Sequence, residues 1–435
     1  MCARLIYSNN SRRGLAFPLH NLYHEFVQTI SVSIGDIIEV STERMAYGGE
    51  AIARYQGLVV FIPFAAPQEV LRVRITELKK NYARAIVEEI VSPSPVRRSA
   101  PCPHFGTCGG CQLQHLSYPA QLEVKAGFIS DSLARVGGID WPREIAVRSA
   151  AEFGYRARAQ IKVQSSAPGH RPAYRRIGFN NAGSRSVCDV EQCPILVPEL
   201  NAALISLRSA VLSSNGDLRE VEMAAGDSGV SFEPALANLP SAPVERVING
   251  ARYRFSPSTF FQANPLLLEG LVAEAVEGRA GRTAVDLYAG AGLFALQLAK
   301  RFNRVVGVES DRRASEFALR NADQNGVRNL EFVTATAESW LGPYLKSKAN
   351  AIDLVLLDPP RGGASQVVAA LVEAPPPKLV YVSCDPVTLA RDLKKLLGGG
   401  YQIEDIIAFD LFPQTYHIET VVKLTQSLAD SGTAS

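Results

Sequence analysis

Regular patterning of apolar and polar positions begins at Val32. From there short β-branched runs recur at residues 36–40, 58–62, 70–75 and 83–87. Glycines, prolines and Lys79-Lys80-Asn81 separate them, and strands this short at this spacing predict a small barrel. Residues 92–101 read as a Pro/Ser/Arg linker. Helical spacing follows from about Tyr118 to Val136, and residues 196–249 mix helix and strand signals.

In the last 175 residues or so, strand and helix patterns alternate, which predicts a doubly wound parallel sheet in an α/β domain. Strand 283–288 runs into Ala289-Gly290-Ala291-Gly292 and a helix from Leu293 to about Lys300. Strand 304–309 ends in Glu309, and strand 351–357 ends in Asp358-Pro359-Pro360-Arg361-Gly362-Gly363. The apolar run 379–382 reads as a buried strand and leads into Ser383-Cys384-Asp385-Pro386. Asp385 and Pro386 make an N-cap and first turn, with Leu389, Leu393, Leu396 and Leu397 at helical spacing behind them. Residues 406–410 and 417–424, joined by a turn holding Phe412-Pro413-Gln414-Thr415, predict a closing hairpin on this sheet.

The 435 residues divide into an extension (1–31), a β-barrel (32–92), a central region (93–250), the α/β domain (251–425) and a polar tail (426–435) expected to be disordered. The apolar fraction of 47% is that of a globular protein. No apolar run approaches the roughly 18 residues of a membrane span. No secretory signal pattern opens the chain, so a cytoplasmic monomer is expected. A net charge of +2 means that a nucleic-acid partner must be met by a local patch.

Seven unevenly spaced cysteines do not form a secreted disulfide framework. Cys102, Cys108 and Cys111, with glycines between them, are spaced as metal or iron–sulfur ligands; Cys193 rather than Cys188 is taken as the fourth. Four thiolates suit zinc as well as a 4Fe-4S cluster. Residues 153–188 hold no Asp or Glu, but carry Arg156, Arg158, Lys162, Arg171, Arg175, Arg176 and Arg185 among Tyr155, Tyr174 and Phe179. That mixture suits phosphate contacts and base stacking.

In the α/β domain, Gly290 and Gly292 allow close approach of a ligand, and Glu309 suits ribose hydroxyls. The same residues satisfy a dinucleotide fingerprint, which leaves a nicotinamide dehydrogenase as a rival reading. Asp286 and the Asp358-Pro359-Pro360 strand end favour a nucleoside-sulfonium cofactor instead. Cys384 falls before a helix N-terminus, whose dipole is expected to lower its thiol pKa. Taken alone, His417 and Glu419 read as a solvated strand end.

Together these motifs, with Phe260-Phe261-Gln262-Ala263-Asn264 and His417-Ile418-Glu419-Thr420, resemble the RNA uridine-5-methyltransferase family, over nearly all of residues 32–424. The resemblance implies a Rossmann-like methyltransferase domain, an OB-like TRAM barrel and a small iron–sulfur-containing central domain. It also implies that part of the helix after the cysteine cluster packs on the catalytic domain. By the same resemblance Cys102, Cys108, Cys111 and Cys193 match 4Fe-4S ligands. Gln262, Tyr288, Glu309 and Asp358 match S-adenosylmethionine contacts, Cys384 the nucleophile and Glu419 the general base. The implied partner is structured RNA, ribosomal or transfer, with ribosomal favoured. The chain departs from the family at Asp385, often Asn, at Thr336, often an Asn for the adenine, and at Leu293. Rival readings are an RNA cytosine-5 methyltransferase, which generally carries a second catalytic-domain cysteine, and a non-catalytic iron–sulfur RNA-binding protein.

Overall fold

The computed structural model describes residues 32–166, 175–214, 218–348 and 351–426. The expectations for the extension 1–31, for Arg171 and Tyr174, and for the tail beyond 426 lie outside these residues.

Five strands, β1 (Ile37–Met45), β2 (Glu50–Tyr55), β3 (Leu58–Pro63), β4 (Val70–Leu78) and β5 (Tyr82–Ser92), close into a barrel of order β1-β2-β3-β5-β4. In β1 Ile38, Val40 and Thr42 point inward in the alternation that a closed sheet requires, and a register shift between Thr42 and Arg44 turns Met45 inward next. Strand β2 was not expected: its Ala-rich sequence has little β-branching, and pairing on both sides supplies what propensity lacks. Most barrel arginines meet acids from neighbouring strands, as Arg74 meets Glu88 and Arg72 meets Glu89. These exposed pairs contribute little stability, and they neutralise much of the basic surface that the sequence offers.

Helix α1 (Tyr118–Ser132) ends in a π-helical turn, Leu133–Gly137, and leads to the short strand β6 (Ala146–Arg148). Strands β7 (Arg158–Ser165), β8 (Arg175–Asn180) and β9 (Val187–Asp189), helix α2 (Pro198–Ser213), and strands β10 (Glu220–Gly226) and β11 (Gly229–Glu233) follow. They form a sheet of order β11-β10-β7-β8-β9, with the apolar face of α2 against it. The hairpin of β12 (Val244–Ile248) and β13 (Ala251–Phe255) spans position 250 and packs as one unit into the C-terminal core.

That core is built on α3 (Pro265–Val276), β14 (Gly281–Leu287), α4 (Leu293–Leu298), β15 (Phe302–Glu309), α5 (Arg312–Gln324), β16 (Leu330–Thr334) and α6 (Ala337–Lys348). It continues with β17 (Leu354–Leu357), α7 (Ser365–Glu373), β18 (Lys378–Ser383), α8 (Pro386–Gly398), β19 (Tyr401–Phe409) and β20 (Glu419–Gln426). The sheet order is β16-β15-β14-β17-β18-β20-β19-β6, parallel from β16 through β18 and antiparallel where β20 joins β18 and β19. Successive residues feed opposite layers: Leu354 and Leu356 pack with α3 and α4, Val355 and Leu357 with α6, α7 and α8. Because both faces are covered, these strands are continuously apolar rather than alternating.

The central region does not stand apart from this core. Ile129 of α1 and Leu133 of the π-helical turn share one cluster with Leu389 and Leu393 of α8, and β6 extends the sheet beside β19. Lys125 of α1, fully buried, donates to Asp410 Oδ1 at 2.5 Å and to the Phe412 carbonyl at 2.9 Å. Removing one partner of a buried pair leaves the other charge uncompensated. Lys125→Ala is expected to cost about 3–5 kcal/mol in urea unfolding, whereas Lys125→Met combined with Asp410→Leu should recover most of that loss.

Candidate active site

The chain leaves β14 for β15 and β16 on one side, then returns to β17 and β18 on the other. A crevice therefore opens beyond the carboxyl ends of β14 and β17, where such sheets bind ligands. The cleft there measures 1510 Å³, part of it open to solvent, and its walls include Tyr288, Gly290, Glu309, Asp358, Cys384 and Glu419. Glu419 reaches it because β20 runs antiparallel: Thr420 pairs with Ser383, so the start of β20 lies at the same edge as the end of β18.

One half of the cleft is shaped by the turn after β14. Tyr288 takes a positive φ of 62°, a strained conformation for a bulky residue, and its hydroxyl donates to Glu338 at 2.6 Å. Gly290 also has a positive φ, and its N–H donates to Glu309 Oε2 at 2.9 Å, while Asp311 N–H donates to Oε1 at 2.6 Å. The Glu309 carboxylate is thus fixed, with acceptor capacity left for a hydroxyl pair. Gln262 and Phe260 also line the cleft. Phe261 stacks on Phe255 with centroids 4.1 Å apart, and Asn264 caps α3, so the intervening segment is held from both sides. Thr336 borders the cleft, yet its hydroxyl bonds Ser339 in the first turn of α6. Leu293 is buried, and its carbonyl accepts from Tyr253.

The other half concentrates acidic groups. Glu419 is only 2% exposed, and burial, then Asp358, holds its carboxyl well above the usual range. It is not the solvated strand end that its sequence position allows. Shielding from water pushes Asp358 up to about 7, and Asp286, buried beneath, is raised by burial and then by Asp358. Cys384 follows β18 and precedes α8 as expected, but its thiol is not lowered. Burial first, then Glu419, Asp358 and Asp385, push it up to about 12, against Arg361. The helix N-terminus cannot offset this, because the Asp385 carboxylate already accepts from the N–H groups of Val387 and Thr388. Sequence reasoning gave no role to Arg361 or to the ring of His417. The Arg361 guanidinium donates to His417 Nε2 at 3.1 Å, and burial holds that imidazole neutral, near 3. The Asp-Pro-Pro-Arg run was the available signal for Arg361.

The cysteines expected as ligands converge elsewhere. Cys102, Cys108, Cys111 and Cys193 line one cavity with Arg156 and Phe179. Cys188 lies beside it, its Sγ 3.7 Å from His104 Nδ1. Among the described residues, no group of three or more His, Cys, Asp or Glu side chains is placed to hold a metal ion.

The basic stretch is partly consumed by the fold. Arg158 donates to the carbonyls of Phe261 and Pro257, Lys162 bonds Glu220 on the adjacent strand, and the buried Tyr155 hydroxyl donates to the Pro413 carbonyl. The sequence count of local acids missed partners that come from β10 and from the closing loop.

With its pKa near 12, Cys384 holds on the order of a thousandfold less thiolate at pH 8 than an unperturbed thiol. Iodoacetamide labelling of the Cys384 peptide, followed by mass spectrometry without cofactor, is expected to be correspondingly slow and to accelerate with pH. Glu419→Gln should speed it, since it removes a like charge. Labelling as fast as for a free thiol would contradict this electrostatic picture.

Comparison with known proteins agrees with this architecture. A family model described as tRNA (uracil-5-)-methyltransferase matches residues 245–427, and the TRAM domain model matches residues 32–87, within the barrel. The chain is 36% identical over 428 residues to "23S rRNA (uracil(1939)-C(5))-methyltransferase RlmD" of Salmonella typhi, covering 90% of this chain and 96% of that protein. An "Uncharacterized RNA methyltransferase" of Aquifex aeolicus is 33% identical, covering 89% of this chain and 98% of the relative. Among solved structures, the Pyrococcus abyssi tRNA (uracil-54, C5)-methyltransferase in complex with S-adenosyl-L-homocysteine aligns with a TM-score of 0.67 and 26% identity. That alignment covers 89% of this chain and all of the other. A methyltransferase sheet behind a TRAM barrel, and identity sustained along almost the whole length, lead to one conclusion: this chain belongs to the RNA (uracil-5-)-methyltransferase family.

Proposed function

We propose that this protein methylates carbon 5 of a uridine in ribosomal RNA, through a transient bond between Cys384 and carbon 6 of the ring. The observation that carries the reading is the convergence of Cys384, Asp358 and Glu419, from three strand ends, on the cleft that the glycine turn also borders. The RNA class rests on the TRAM barrel and on the ribosomal substrate named for the Salmonella relative.

The cleft fits S-adenosylmethionine: it offers a positive-φ glycine turn, an oriented carboxylate at Glu309 and buried acidic groups that favour a cation. When bound, the cofactor supplies a methyl group on a sulfonium to the nucleophilic carbon 5 and keeps the sulfur's electron pair. Gln262, Tyr288, Gly290, Gly292, Glu309 and Asp358 would hold it. Cys384 gives up its proton to solvent, and its thiolate forms the bond to carbon 6, shifting the ring's double-bond pair onto carbon 5 and the neighbouring carbonyl. After methylation Glu419 takes the carbon 5 proton; that pair restores the double bond, the carbon–sulfur bond breaks, and thiolate returns. A carboxyl held above its usual range is the stronger base once ionised, which suits Glu419 to this step. A stacked uridine must first swing out to meet a thiol recessed in a cleft.

The cysteine cavity fits a 4Fe-4S cluster in its donor set: four thiols from two separate segments, with the Arg156 guanidinium as counter-charge. Cys102, Cys108, Cys111 and Cys193 would hold it, and a cluster there would tie the two segments together. Cys193→Ser is expected to lower bound iron and acid-labile sulfide, and Cys188→Ser to leave both near parental values.

Two variants test the covalent reading on large-subunit ribosomal RNA with labelled cofactor. Cys384→Ala should give no denaturant-resistant RNA complex and no methyl transfer. Glu419→Gln should accumulate such a complex while turnover falls by about 10²–10⁴-fold. Normal turnover in Glu419→Gln would remove that residue from its assigned role.

A further inference from the structure

We propose that Tyr47, on the turn between barrel strands β1 and β2, is a positioning residue for Cys384, acting through the Asp385 carboxylate that follows the thiol. The inference rests on the covalent reading above and adds to it a contribution from the barrel. The Tyr47 hydroxyl donates to Asp385 Oδ2 at 3.2 Å across 338 positions of sequence. The other oxygen, Oδ1, accepts from the N–H groups of Val387 at 3.0 Å and Thr388 at 2.9 Å. The two oxygens divide the work: one caps α8, the other anchors to the barrel.

The phenol is held in place. Its ring meets Phe128 edge-on at 5.8 Å and Tyr416 at 5.3 Å, and Tyr416 in turn packs on His417 at 4.1 Å. Gly49, two residues on, takes φ +87°, and a Cβ there would lie 2.9 Å from Gln112 Cβ. Only glycine lets this turn press so closely against the segment after the cysteine cluster. The turn therefore has a fixed seat, and Tyr47 a fixed reach.

Its effect on Cys384 is electrostatic as well as geometric. The charged and titratable groups acting on the thiol are Glu419 from β20, Asp358 from the end of β17, Arg361 beside it, and Asp385. His417 is neutral. Asp385 is the neighbour whose charge a barrel residue tempers. Burial and Asp385 hold the phenol above its usual range, so it stays protonated and remains a donor. Loss of the hydroxyl exposes the thiol more fully to the Asp385 charge and frees the loop that carries both.

The test uses full-length enzyme, S-adenosylmethionine and a large-subunit rRNA transcript made with 5-fluorouridine, whose carbon 5 fluorine cannot leave as a proton does and so traps the Cys384 bond. Tyr47→Phe keeps the ring packing. It is expected to slow adduct formation about tenfold at pH 7, to leave RNA affinity within about twofold, and to displace the whole rate profile to higher pH by about one unit. In an Asp385→Asn background, where no carboxylate charge remains, Tyr47→Phe should change the rate and pH profile little. An unchanged adduct rate and pH profile in Tyr47→Phe overturns the assignment. So does a defect confined to RNA affinity, or an equal loss in both backgrounds. If the parent enzyme forms no adduct, the covalent reading falls instead, and the same Tyr47→Phe comparison is then decided on methyl-transfer rates and their pH dependence.

Discussion

Acidic groups buried at one edge of the C-terminal sheet set the terms for everything around them. Asp286 and Glu419 are buried there, Asp358 and Cys384 half-buried in the cleft wall; Asp358 acts on the other three, with Arg361 in opposition at the thiol. In such surroundings ionising one group raises the cost of ionising the next. The arrangement is incomplete in charge, and a sulfonium has the sign that completes it.

A site so balanced needs a frame that does not yield, and the loop from Asp410 to His417 provides it. Phe412 and His417 face the cleft, while the rest of the loop is gripped from behind. Lys125 bonds Asp410 and the Phe412 carbonyl; Tyr155 bonds the Pro413 carbonyl. Gln121 and Gln414 exchange hydrogen bonds, and the Gln414 carbonyl accepts from both Gln112 and Leu113, the residues directly after Cys111. Each tie reaches some 250 to 300 positions back along the chain. Such contacts cost much loop entropy to form, but once made they cannot relax one at a time. The cysteine cavity, the barrel turn and the reactive edge are consequently one packed unit.

Much of this was legible in the sequence wherever function is written locally. The strand ends at Tyr288, Glu309, Asp358 and Cys384 carry their own punctuation of glycine, proline and acid, and the structure places all of them on one cleft. The closing hairpin set Glu419 at the same edge. Properties that depend on burial were not legible. A cysteine before a helix start reads as activated, yet Asp385 occupies the N–H groups that would have activated it. A stretch free of acids reads as open to RNA, yet Glu220 and several backbone carbonyls reach in from other elements. Tyr47 gave no signal at all, because its partner lies in another domain.

Two of the three departures from the family pattern show where sequence freedom ends. Thr336 and Asp385 both cap helices, a task that Asn, Asp, Ser and Thr perform within a few tenths of a kcal/mol to about 1 kcal/mol of one another. For the fold, the exchange of one capping residue for another is nearly silent. For the chemistry it is not, because Asp385 places a full negative charge next to the thiol where Asn would place a dipole. That charge is offset from two directions, by the first N–H groups of α8 and by the phenol from the barrel. Capping fixes only that an oxygen must stand there. Whether that oxygen is charged is settled by what else can reach it, and here a residue more than three hundred positions away can.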